Sequence, residues 1–325
     1  MNQRPTILVS SPYPADLIAK LAEIATVIAP PHGQPLIGYD QARSHAAQLS
    51  AIINQGELRV DPDLIAEARG LRIVASASIG VNNLALPTLR ARQVWCTNTP
   101  GAFAEATADC TLGMMIMLMR RLGEAERFVR ANRWQAFAPG SWDGLLLRGK
   151  TLGLIGYGRI GRAVERRAVA FGMRVVHHTR TWSSETGWRT RDALLAEADV
   201  VSLHVPLNAD STAMIDANAL RQMKPGAWLI NLSRGAVIDE PALIAALQTG
   251  RLAGAALDVF AHEPAVPEVL RKMENVVLTP HLGGGSQEGR REAQEQCVEN
   301  VLRVLRGERP IAECIVVEPE PPQRS

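Results

Sequence analysis

Three side chains in the second half of the chain, Arg234, Glu263 and His281, have types suited to proton transfer beside a bound anion. Each follows a predicted strand, and an open α/β sheet binds its ligands at the carboxyl ends of its strands. An arginine fork suits a carboxylate, and histidine, whose ordinary pKa is about 6.5, exchanges protons near neutral pH. A glutamate beside that histidine stabilises its charged form. The three residues therefore predict one site for acid catalysis.

A glycine-rich turn precedes these residues in the chain. Gly156, Gly158 and Gly161 form a G-x-G-x-x-G pattern, with Arg159 and Ile160 inside it, between a predicted strand and a predicted helix. The first glycine permits a tight turn, the second lets the backbone approach a pyrophosphate, and the third allows helix and strand to pack closely. A second predicted strand completes a βαβ unit, so the pattern predicts a dinucleotide site.

The residues after that second strand bear on the choice of coenzyme. An NAD site usually has an acid there to bind the ribose hydroxyls, but this chain has Thr179, Arg180 and Thr181. Arg180 offers a cationic fork to a 2′-phosphate, and no acid in this segment repels one. The segment predicts a preference for NADP(H), with NAD(H) possible.

Composition predicts a two-domain cytoplasmic protein. The chain has 325 residues and a net charge of +2 from 35 basic and 33 acidic residues, with no basic cluster for nucleic acid. The richest apolar stretch, 110–119, is too short to cross a bilayer, and no targeting segment is visible. The cysteines have no C-x-x-C spacing, so we predict no metal site and no disulfide, with the thiols buried: Cys96, Cys110, Cys297 and Cys314.

Apolar runs alternate with helical patterns along the whole chain, which predicts two doubly wound α/β domains with parallel sheets. The predicted strands are 7–9, 51–53, 72–75, 94–96, 151–155, 173–178, 199–204, 228–231, 254–258 and 276–279. The predicted helices include 15–24, 41–48, 61–68, 86–92, 105–120 and 287–306. The tail from Glu318 is rich in proline and charge and predicts disorder.

Six segments in one order give the chain a resemblance to the NAD(P)-dependent D-2-hydroxyacid dehydrogenases over nearly its whole length. They are Ser78-Ile79-Gly80, Asn98-Thr99-Pro100-Gly101, the glycine motif, and the segments carrying Arg234, Glu263 and His281. Residues 179–181 with Arg159 and Ile160 most resemble the glyoxylate/hydroxypyruvate reductases. The resemblance implies a Rossmann dinucleotide-binding domain, residues 99–284, inserted into a flavodoxin-like substrate domain, residues 1–98 and 285–325.

The resemblance also implies reduction of a small 2-keto acid by hydride transfer. Arg234 would hold the carboxylate and the carbonyl oxygen, His281 would protonate that oxygen, and Glu263 would stabilise the imidazolium. The loop at Ile79 and Gly80 would present N–H groups to the substrate, and Trp142 would reach the substrate. Further coenzyme contacts are implied at Thr107, Val205, Pro206, Thr212, Leu232, Asp258 and Gly283, besides Arg234 and His281.

The family resemblance also implies a homodimer. The predicted helix 105–120 has a continuous apolar face, Leu112, Met115, Ile116 and Met119, that exceeds what one domain's core obviously needs. Three other histidines of the second half are interpreted otherwise. His204 is expected to be structural, and His177 and His178 either flank the adenosine or pack within the domain.

Two alternatives stay open. An NAD-specific relative such as a phosphoglycerate dehydrogenase shares the motifs, and the missing acid at Thr179 counts against it. A corepressor that senses a dinucleotide on this same fold also retains the arginine, glutamate and histidine. The predicted 2′-phosphate site at Arg180 counts against that second class.

Overall fold

The computed structural model describes residues 4–30 and 34–320, and the chain divides into two compact units. The first unit is Met1–Phe103 with Ser286–Ser325, and the second is Ala104–Gly285. The resemblance predicts domain boundaries after residues 98 and 284. The segment 99–103 was therefore expected in the dinucleotide-binding domain but lies in the first unit. It belongs to the first unit because Ala102 is buried in the same apolar cluster as Ala293 and Cys297.

Both units are built from parallel strands joined by helices. The strands are β1 (Thr6–Val9), β2 (Thr26–Ile28), β3 (Leu49–Asn54), β4 (Ile73–Ser76), β5 (Trp95–Thr97), β6 (Thr151–Ile155), β7 (Arg174–His178), β8 (Val200–Leu203), β9 (Ala227–Asn231), β10 (Leu252–Leu257), β11 (Val276–Leu278) and β12 (Ile315–Val317). Ten of them match the predicted runs to within a few residues. The three-residue strands β2 and β12 were not predicted.

The helices connect and cover these strands. They are α1 (Ala15–Ala22), α2 (Tyr39–Ser44), α3 (Pro62–Glu67), α4 (Leu86–Ala91), α5 (Ala104–Met119), α6 (Leu122–Arg130), α7 (Arg159–Ala170), α8 (Arg191–Glu197), α9 (Ala217–Gln222), α10 (Glu240–Gln248), α11 (Glu268–Lys272) and α12 (Gln287–Leu305). Short 3-10 helices cover Ala46–Gln48, Gly235–Val237 and Ala312–Cys314. The helix predicted over 41–48 is therefore α2 followed by a 3-10 turn.

The first sheet has the order β12-β5-β4-β3-β1-β2. Its strands are parallel except β12, which returns along β5 in the antiparallel direction at the edge of the sheet. Helix α12 packs with the first unit, on an apolar cluster that includes Ile7, Ile53 and Val301. A second cluster, which includes Leu8 and Ile52, covers the opposite face. The first unit is thus doubly wound, as predicted.

The second sheet has the order β11-β10-β9-β8-β6-β7, and its described strands are all parallel. Neighbouring residues of β6 face opposite sides, because Leu154 lies in one apolar cluster and Ile155 in another. The order reverses at β6, between its neighbours β7 and β8. In sheets of this kind the ligand crevice lies at the carboxyl ends of the strands at such a reversal.

Helix α5 corrects the prediction about its apolar face. Leu112, Met115 and Met119 are at most 4% exposed and belong to the core of the second unit, where α5 packs on α7. The face is therefore used within one chain and does not argue for a dimer. Six exposed large apolar side chains lie instead in the next segment of the unit: Leu122, Val129, Trp134, Phe137, Leu145 and Leu146.

Three other expectations concern the cysteines, the tail and the membrane. All four thiols are free, and three are buried, but Cys110 is only half-buried. Glu318 of the predicted disordered tail accepts hydrogen bonds from Arg309 at 3.1 and 2.8 Å, whereas residues 321–325 lie outside the described part of the chain. Within residues 4–30 and 34–320, no helix combines the length and apolarity needed to cross a membrane.

Candidate active site

Arg234 lies in a tight turn directly after β9. The amide of Asn231 fixes this turn, because its Oδ1 accepts hydrogen bonds from N and Oγ of Ser233 at 2.9 and 2.7 Å. Its Nδ2 donates to the carbonyl oxygen of Arg234 at 3.0 Å. At Gly235 a Cβ atom would lie 1.9 Å from the carbonyl carbon of Phe260, so only glycine fits there. The turn is therefore held both from within and by the strand-end loop beside it.

The Arg234 side chain is half-buried, and its Nη1 donates to the carbonyl oxygen of Ser233 at 2.7 Å. Burial lowers the pKa of Arg234 from its ordinary value, and the charge of Glu263 opposes that shift. An arginine in a protein stays protonated in such surroundings. The turn thus presents a fixed, partly desolvated cation close to the Glu263 carboxylate.

Glu263 and His281 are in direct contact. The Nδ1 of His281 lies 2.7 Å from Oε2 of Glu263, and Oε1 of the same carboxylate accepts a hydrogen bond from the N–H of Phe260 at 3.0 Å. The His281 side chain is 48% exposed, and Nε2 has no hydrogen-bond partner among the residues that the structure describes. The carboxylate therefore orients the ring, and Nε2 is left to face a ligand.

Asp258 holds the backbone that carries His281. Its buried carboxylate accepts hydrogen bonds from Thr279 Oγ1 at 2.6 Å and from the N–H groups of Leu282 and Gly283, each at 2.8 Å. Its carbonyl oxygen accepts from the N–H of His281 at 2.9 Å. His281 itself has a φ of 52°, in the left-handed region. Three donors on one carboxylate fix the unusual backbone that aims the imidazole.

Contacts within the protein explain why position 283 is a glycine. A Cβ there would lie 2.9 Å from Oδ2 of Asp258 and 3.0 Å from Cδ2 of the buried Leu232. The sequence suggested that this glycine allows a ligand to approach. The structure brings Asp258 and Leu232 against it instead, and the coenzyme contacts predicted for all three residues stay predictions.

The glycine turn at the end of β6 is closely packed at two of its glycines and open at the third. Gly156 has a φ of +96°, and a Cβ there would lie 2.4 Å from the carbonyl oxygen of His204, while one at Gly161 would lie 2.4 Å from that of Gly156. At Gly158, by contrast, no atom lies within 4 Å of the Cβ position. Gly158 also begins α7 without a side-chain cap, and such a helix start suits a phosphate. The open position and the uncapped helix fit a pyrophosphate, beside Arg159 and Ile160 of the first turn.

The end of β7 carries the residues predicted to bind the coenzyme's ribose. Thr179 Oγ1 donates to the carbonyl oxygen of Thr181 at 2.7 Å and accepts from Trp188 Nε1 at 3.1 Å. Arg180 is exposed, and its Nη1 lies 3.1 Å from Oδ2 of Asp210. Sequence reasoning missed Asp210, which lies in the loop after β8, on the other side of β6 in the sheet. Its signal was the run Asn208-Ala209-Asp210-Ser211, which is typical of a side-chain-stabilised turn.

The other predicted coenzyme residues of the second unit lie around the same edge of the sheet or in α5. Val205 and Pro206 follow β8 directly, and Val205 packs on the domain core. Thr212 is exposed, and its Oγ1 donates to the carbonyl oxygen of Asn208 at 2.8 Å. Thr107 is buried in α5. No contact among the described residues assigns a coenzyme role to these four positions.

In the first unit, the loop after β4 offers two N–H groups. The Ile79 carbonyl accepts a hydrogen bond from Asn98 Nδ2 at 2.8 Å, and the Gly80 carbonyl accepts from Ser78 Oγ at 2.7 Å. Across residues 4–30 and 34–320, the N–H groups of Ile79 and Gly80 donate to no other group. The Asn98 amide holds the peptide group between Ile79 and Gly80, and with it the direction of the Gly80 N–H.

Trp142 is engaged within the second unit. Its ring lies 5.0 Å from that of Phe128 on α6, and the Arg121 guanidinium lies 5.1 Å from its centroid. Among the described residues it has no contact with Arg234, Glu263 or His281. Its predicted substrate contact therefore stays a prediction.

His177, His178 and His204 are packed inside the second unit. His177 stacks on Tyr157, with ring centroids 3.7 Å apart, and burial lowers its pKa. His178 Nδ1 is hydrogen-bonded to the carbonyl oxygen of Arg189 at 3.0 Å. His204 Nε2 is hydrogen-bonded to the Ser202 hydroxyl at 2.9 Å, and burial lowers the pKa of His204 to about 4. A histidine that stays neutral at physiological pH suits the structural role expected for His204.

Comparison with known proteins places these features in one family. The family model described as "D-isomer specific 2-hydroxyacid dehydrogenase, NAD binding domain" matches residues 112–283, which contain the glycine turn, Arg234, Glu263 and His281. A glyoxylate reductase of Thermococcus litoralis is 40% identical over 274 residues, covering 81% of this chain and 82% of the relative. One from Thermofilum pendens is 34% identical over 324 residues, covering 95% and 94%.

Solved structures give the same result over the whole chain. An NADPH-dependent glyoxylate/hydroxypyruvate reductase of Sinorhizobium meliloti, in complex with NADP and malonate, superposes with a TM-score of 0.84 at 32% identity. The match covers 96% of this chain and 98% of that one. A protein from Thermus thermophilus superposes with a TM-score of 0.89 at 38% identity, covering 96% and 100%.

Proposed function

Because the chain belongs to the D-isomer-specific 2-hydroxyacid dehydrogenase family, we propose that it reduces small 2-keto acids, glyoxylate or hydroxypyruvate, to D-2-hydroxy acids with NADPH. The observation that carries the proposal is the contact of His281 with Glu263, which leaves Nε2 open. This is the arrangement that a general acid needs, because the proton is held on an oriented ring at an accessible nitrogen.

Each residue of the site has one task in the reduction. The guanidinium of Arg234 binds the substrate carboxylate and polarises the keto oxygen, and the N–H groups of Ile79 and Gly80 bind the carboxylate. The reduced nicotinamide supplies the hydride. His281 Nε2–H gives its proton to the keto oxygen as negative charge develops there, and Glu263 stabilises the imidazolium beforehand.

The coenzyme preference rests on the residues after β7. Arg180 is exposed and can turn toward a 2′-phosphate, and Thr179 and Thr181 add hydroxyl groups. No acid occupies the position that binds ribose hydroxyls in NAD sites. The relative from Sinorhizobium meliloti, whose name states NADPH dependence, supports the same preference.

The proposed enzyme is a homodimer, and the exposed apolar segment 122–146 is its interface. Phe137 is 83% exposed and Leu146 is 70% exposed. Several large apolar side chains exposed in one segment indicate a surface that binds another protein. Light scattering should give twice the mass of one chain, and Phe137→Asp should shift it toward the monomer. The control is Phe171→Asp, at an exposed phenylalanine of α7's C-terminal end, which should leave the mass unchanged.

The cytoplasm is the proposed location. Four free thiols with no disulfide fit a reducing compartment. Export to an oxidising compartment in its active form would contradict this assignment.

A substrate and coenzyme screen tests the proposed function. Glyoxylate, hydroxypyruvate, pyruvate, 2-ketogluconate and phenylpyruvate are each assayed with NADPH and with NADH, and glyoxylate or hydroxypyruvate with NADPH should give the highest kcat/KM. A higher kcat/KM with NADH throughout would favour the NAD-specific alternative. Coenzyme binding without turnover of any 2-keto acid would favour a dinucleotide sensor.

A further inference from the structure

The proposed 2′-phosphate ligand already has a partner in this structure. Arg180 Nη1 lies 3.1 Å from Oδ2 of Asp210, and the two side chains are 81% and 70% exposed. Arg180 follows β7 and Asp210 lies in the loop after β8, so the pair joins two strand-end loops. Across the described residues, the Asp210 carboxylate accepts no other hydrogen bond.

The loop that carries Asp210 is rigid. Asn208 Oδ1 accepts hydrogen bonds from the N–H groups of Asp210 and Ser211 at 2.9 and 3.1 Å, and Thr212 Oγ1 donates to the Asn208 carbonyl oxygen at 2.8 Å. Ser211 is buried, and its Oγ donates to the carbonyl oxygen of Pro206 at 2.7 Å. The backbone of Asp210 is therefore held in place, and the long side chain of Arg180 is the part of the pair that can move.

We propose that Asp210 is a specificity-determining residue that competes with the coenzyme's 2′-phosphate for Arg180. This inference rests on the proposed function, in which Arg180 is the phosphate ligand. In the free protein the Asp210 carboxylate is paired with the Arg180 guanidinium. A 2′-phosphate must displace that carboxylate in order to bind the guanidinium. A phosphate with up to two negative charges and three acceptor oxygens is the stronger partner, and an exposed ion pair is weak.

The competition has a consequence for coenzyme choice. A coenzyme with a free 2′-hydroxyl leaves the pair intact, so Asp210 does not lower the affinity for that coenzyme. A 2′-phosphorylated coenzyme breaks the pair and brings its own charge toward the carboxylate. With Asp210 present, the preference for NADPH over NADH is therefore smaller than Arg180 alone would give.

Calorimetric titration of the full-length protein with 2′,5′-ADP and with 5′-AMP tests this without turnover. Asp210→Asn should tighten 2′,5′-ADP about three- to fivefold, the size of an exposed ion pair, and leave 5′-AMP unchanged. The matched control is Asp109→Asn, which removes an exposed aspartate of the same unit that is paired with Arg167 at 2.6 Å. It should change neither affinity by more than about twofold, because distant exposed charges are screened.

A double-mutant cycle with Arg180→Ala isolates the competition. In the Arg180→Ala background, Asp210→Asn should lose most of its gain, because no guanidinium remains to be released. The inference is overturned if Asp210→Asn leaves 2′,5′-ADP affinity unchanged or lowers it. It is also overturned if 5′-AMP tightens equally, or if the gain is the same in both backgrounds.

The same data separate this inference from the proposed coenzyme preference. If Arg180→Ala binds 2′,5′-ADP as tightly as the unaltered protein, Arg180 is no phosphate ligand and the preference fails with it. If Arg180→Ala weakens binding but Asp210→Asn gives no gain, the phosphate site stands and only the role of Asp210 is refuted.

Discussion

The carboxyl edge of the second sheet has two ends that are built differently. At the reaction end, residues 231–235, 258–263 and 279–283, buried side chains hold the loops, as Asp258 does with three donors. At the adenosine end, residues 179–181 and 205–212, the predicted ligand Arg180 is exposed and pairs with an exposed aspartate.

The difference agrees with what the proposed function requires of each end. The proposed proton and hydride transfer demands that the reacting groups stay within about half an ångström of their working positions, which a buried network can ensure. Recognition of a phosphate tolerates a flexible arm, because charge attraction is weakly directional. We therefore expect substitutions at the reaction end to have large effects on rate, and those at the adenosine end to have smaller effects on affinity.

The largest expected effect is at His281. Asparagine tolerates the left-handed backbone there but cannot act as an acid, so His281→Asn should slow the chemical step by about 10²- to 10⁴-fold. NADPH affinity should change little, and single-turnover kinetics with a coenzyme titration measure the two separately. The neighbouring exposed His262→Asn is the control, with near-normal turnover expected. Near-normal turnover in His281→Asn would leave solvent or another side chain as the acid.

Asp258→Asn comes next. An amide cannot accept from both of the Leu282 and Gly283 N–H groups, so one buried donor loses its partner, at about 1–3 kcal/mol in the free energy of unfolding. Urea denaturation measures the loss, and kcat should fall with it because the His281 backbone is released. Asp216→Asn, at the start of α9, is the control, because asparagine caps a helix as well as aspartate. Equal stability of the two variants would refute the anchoring role of Asp258.

At the adenosine end, Arg180→Ala should raise the KM for NADPH about tenfold or more, since a charge-assisted contact contributes about 1.5–3 kcal/mol. The KM for NADH should barely change, because that coenzyme has no 2′-phosphate. Steady-state kinetics with both coenzymes decide the matter. Equal losses with both would mean that Arg180 supports the loop and not the phosphate.

The mildest change is expected in Glu263→Gln. Glutamine keeps one oxygen that can accept from His281 Nδ1, but it removes the negative charge beside the proposed proton donor and cannot accept from the Phe260 N–H as well. The kcat for keto-acid reduction should therefore fall by about tenfold or less, well short of the loss in His281→Asn. Single-turnover kinetics measure the rate. An unchanged rate in Glu263→Gln would show that the carboxylate does not act on the proton donor.

The sequence predicts the parts of this molecule that are local in the chain. The apolar run 151–155, the glycine turn after it and the long helix α12 have patterns that their own residues determine. Strand β2 has three residues and none of them is buried, so it has no apolar pattern of its own. Strand β12 is an equally short apolar run beside the charged tail, so the sequence did not mark it as a strand. They form because a neighbouring strand offers them an edge.

Within the site, the side-chain types and the pairing of His281 with Glu263 were predicted, but the partner of Arg180 was not. His281, Glu263 and Arg234 stand out by type and by their places after strands. Asp210 lies 30 residues after Arg180, and only the adjacent loops of two strands bring the two together. The apolar face of α5 served as an argument for a dimer for the same reason. The helix that covers this face, α7, lies far along the chain.

The contact between Gly235 and Phe260 affects how the reaction end can move. The Gly235 Cα touches the Phe260 backbone so closely that no methyl group fits between them, and Phe260 N–H binds the Glu263 carboxylate. The loop of Arg234 and the loop of Glu263 are therefore in direct van der Waals contact. Close-packed atoms compress little, so a displacement of one loop is passed on to the other. We therefore expect the proposed substrate ligand, Arg234, and the proposed partner of the proton donor, Glu263, to shift together during thermal fluctuations.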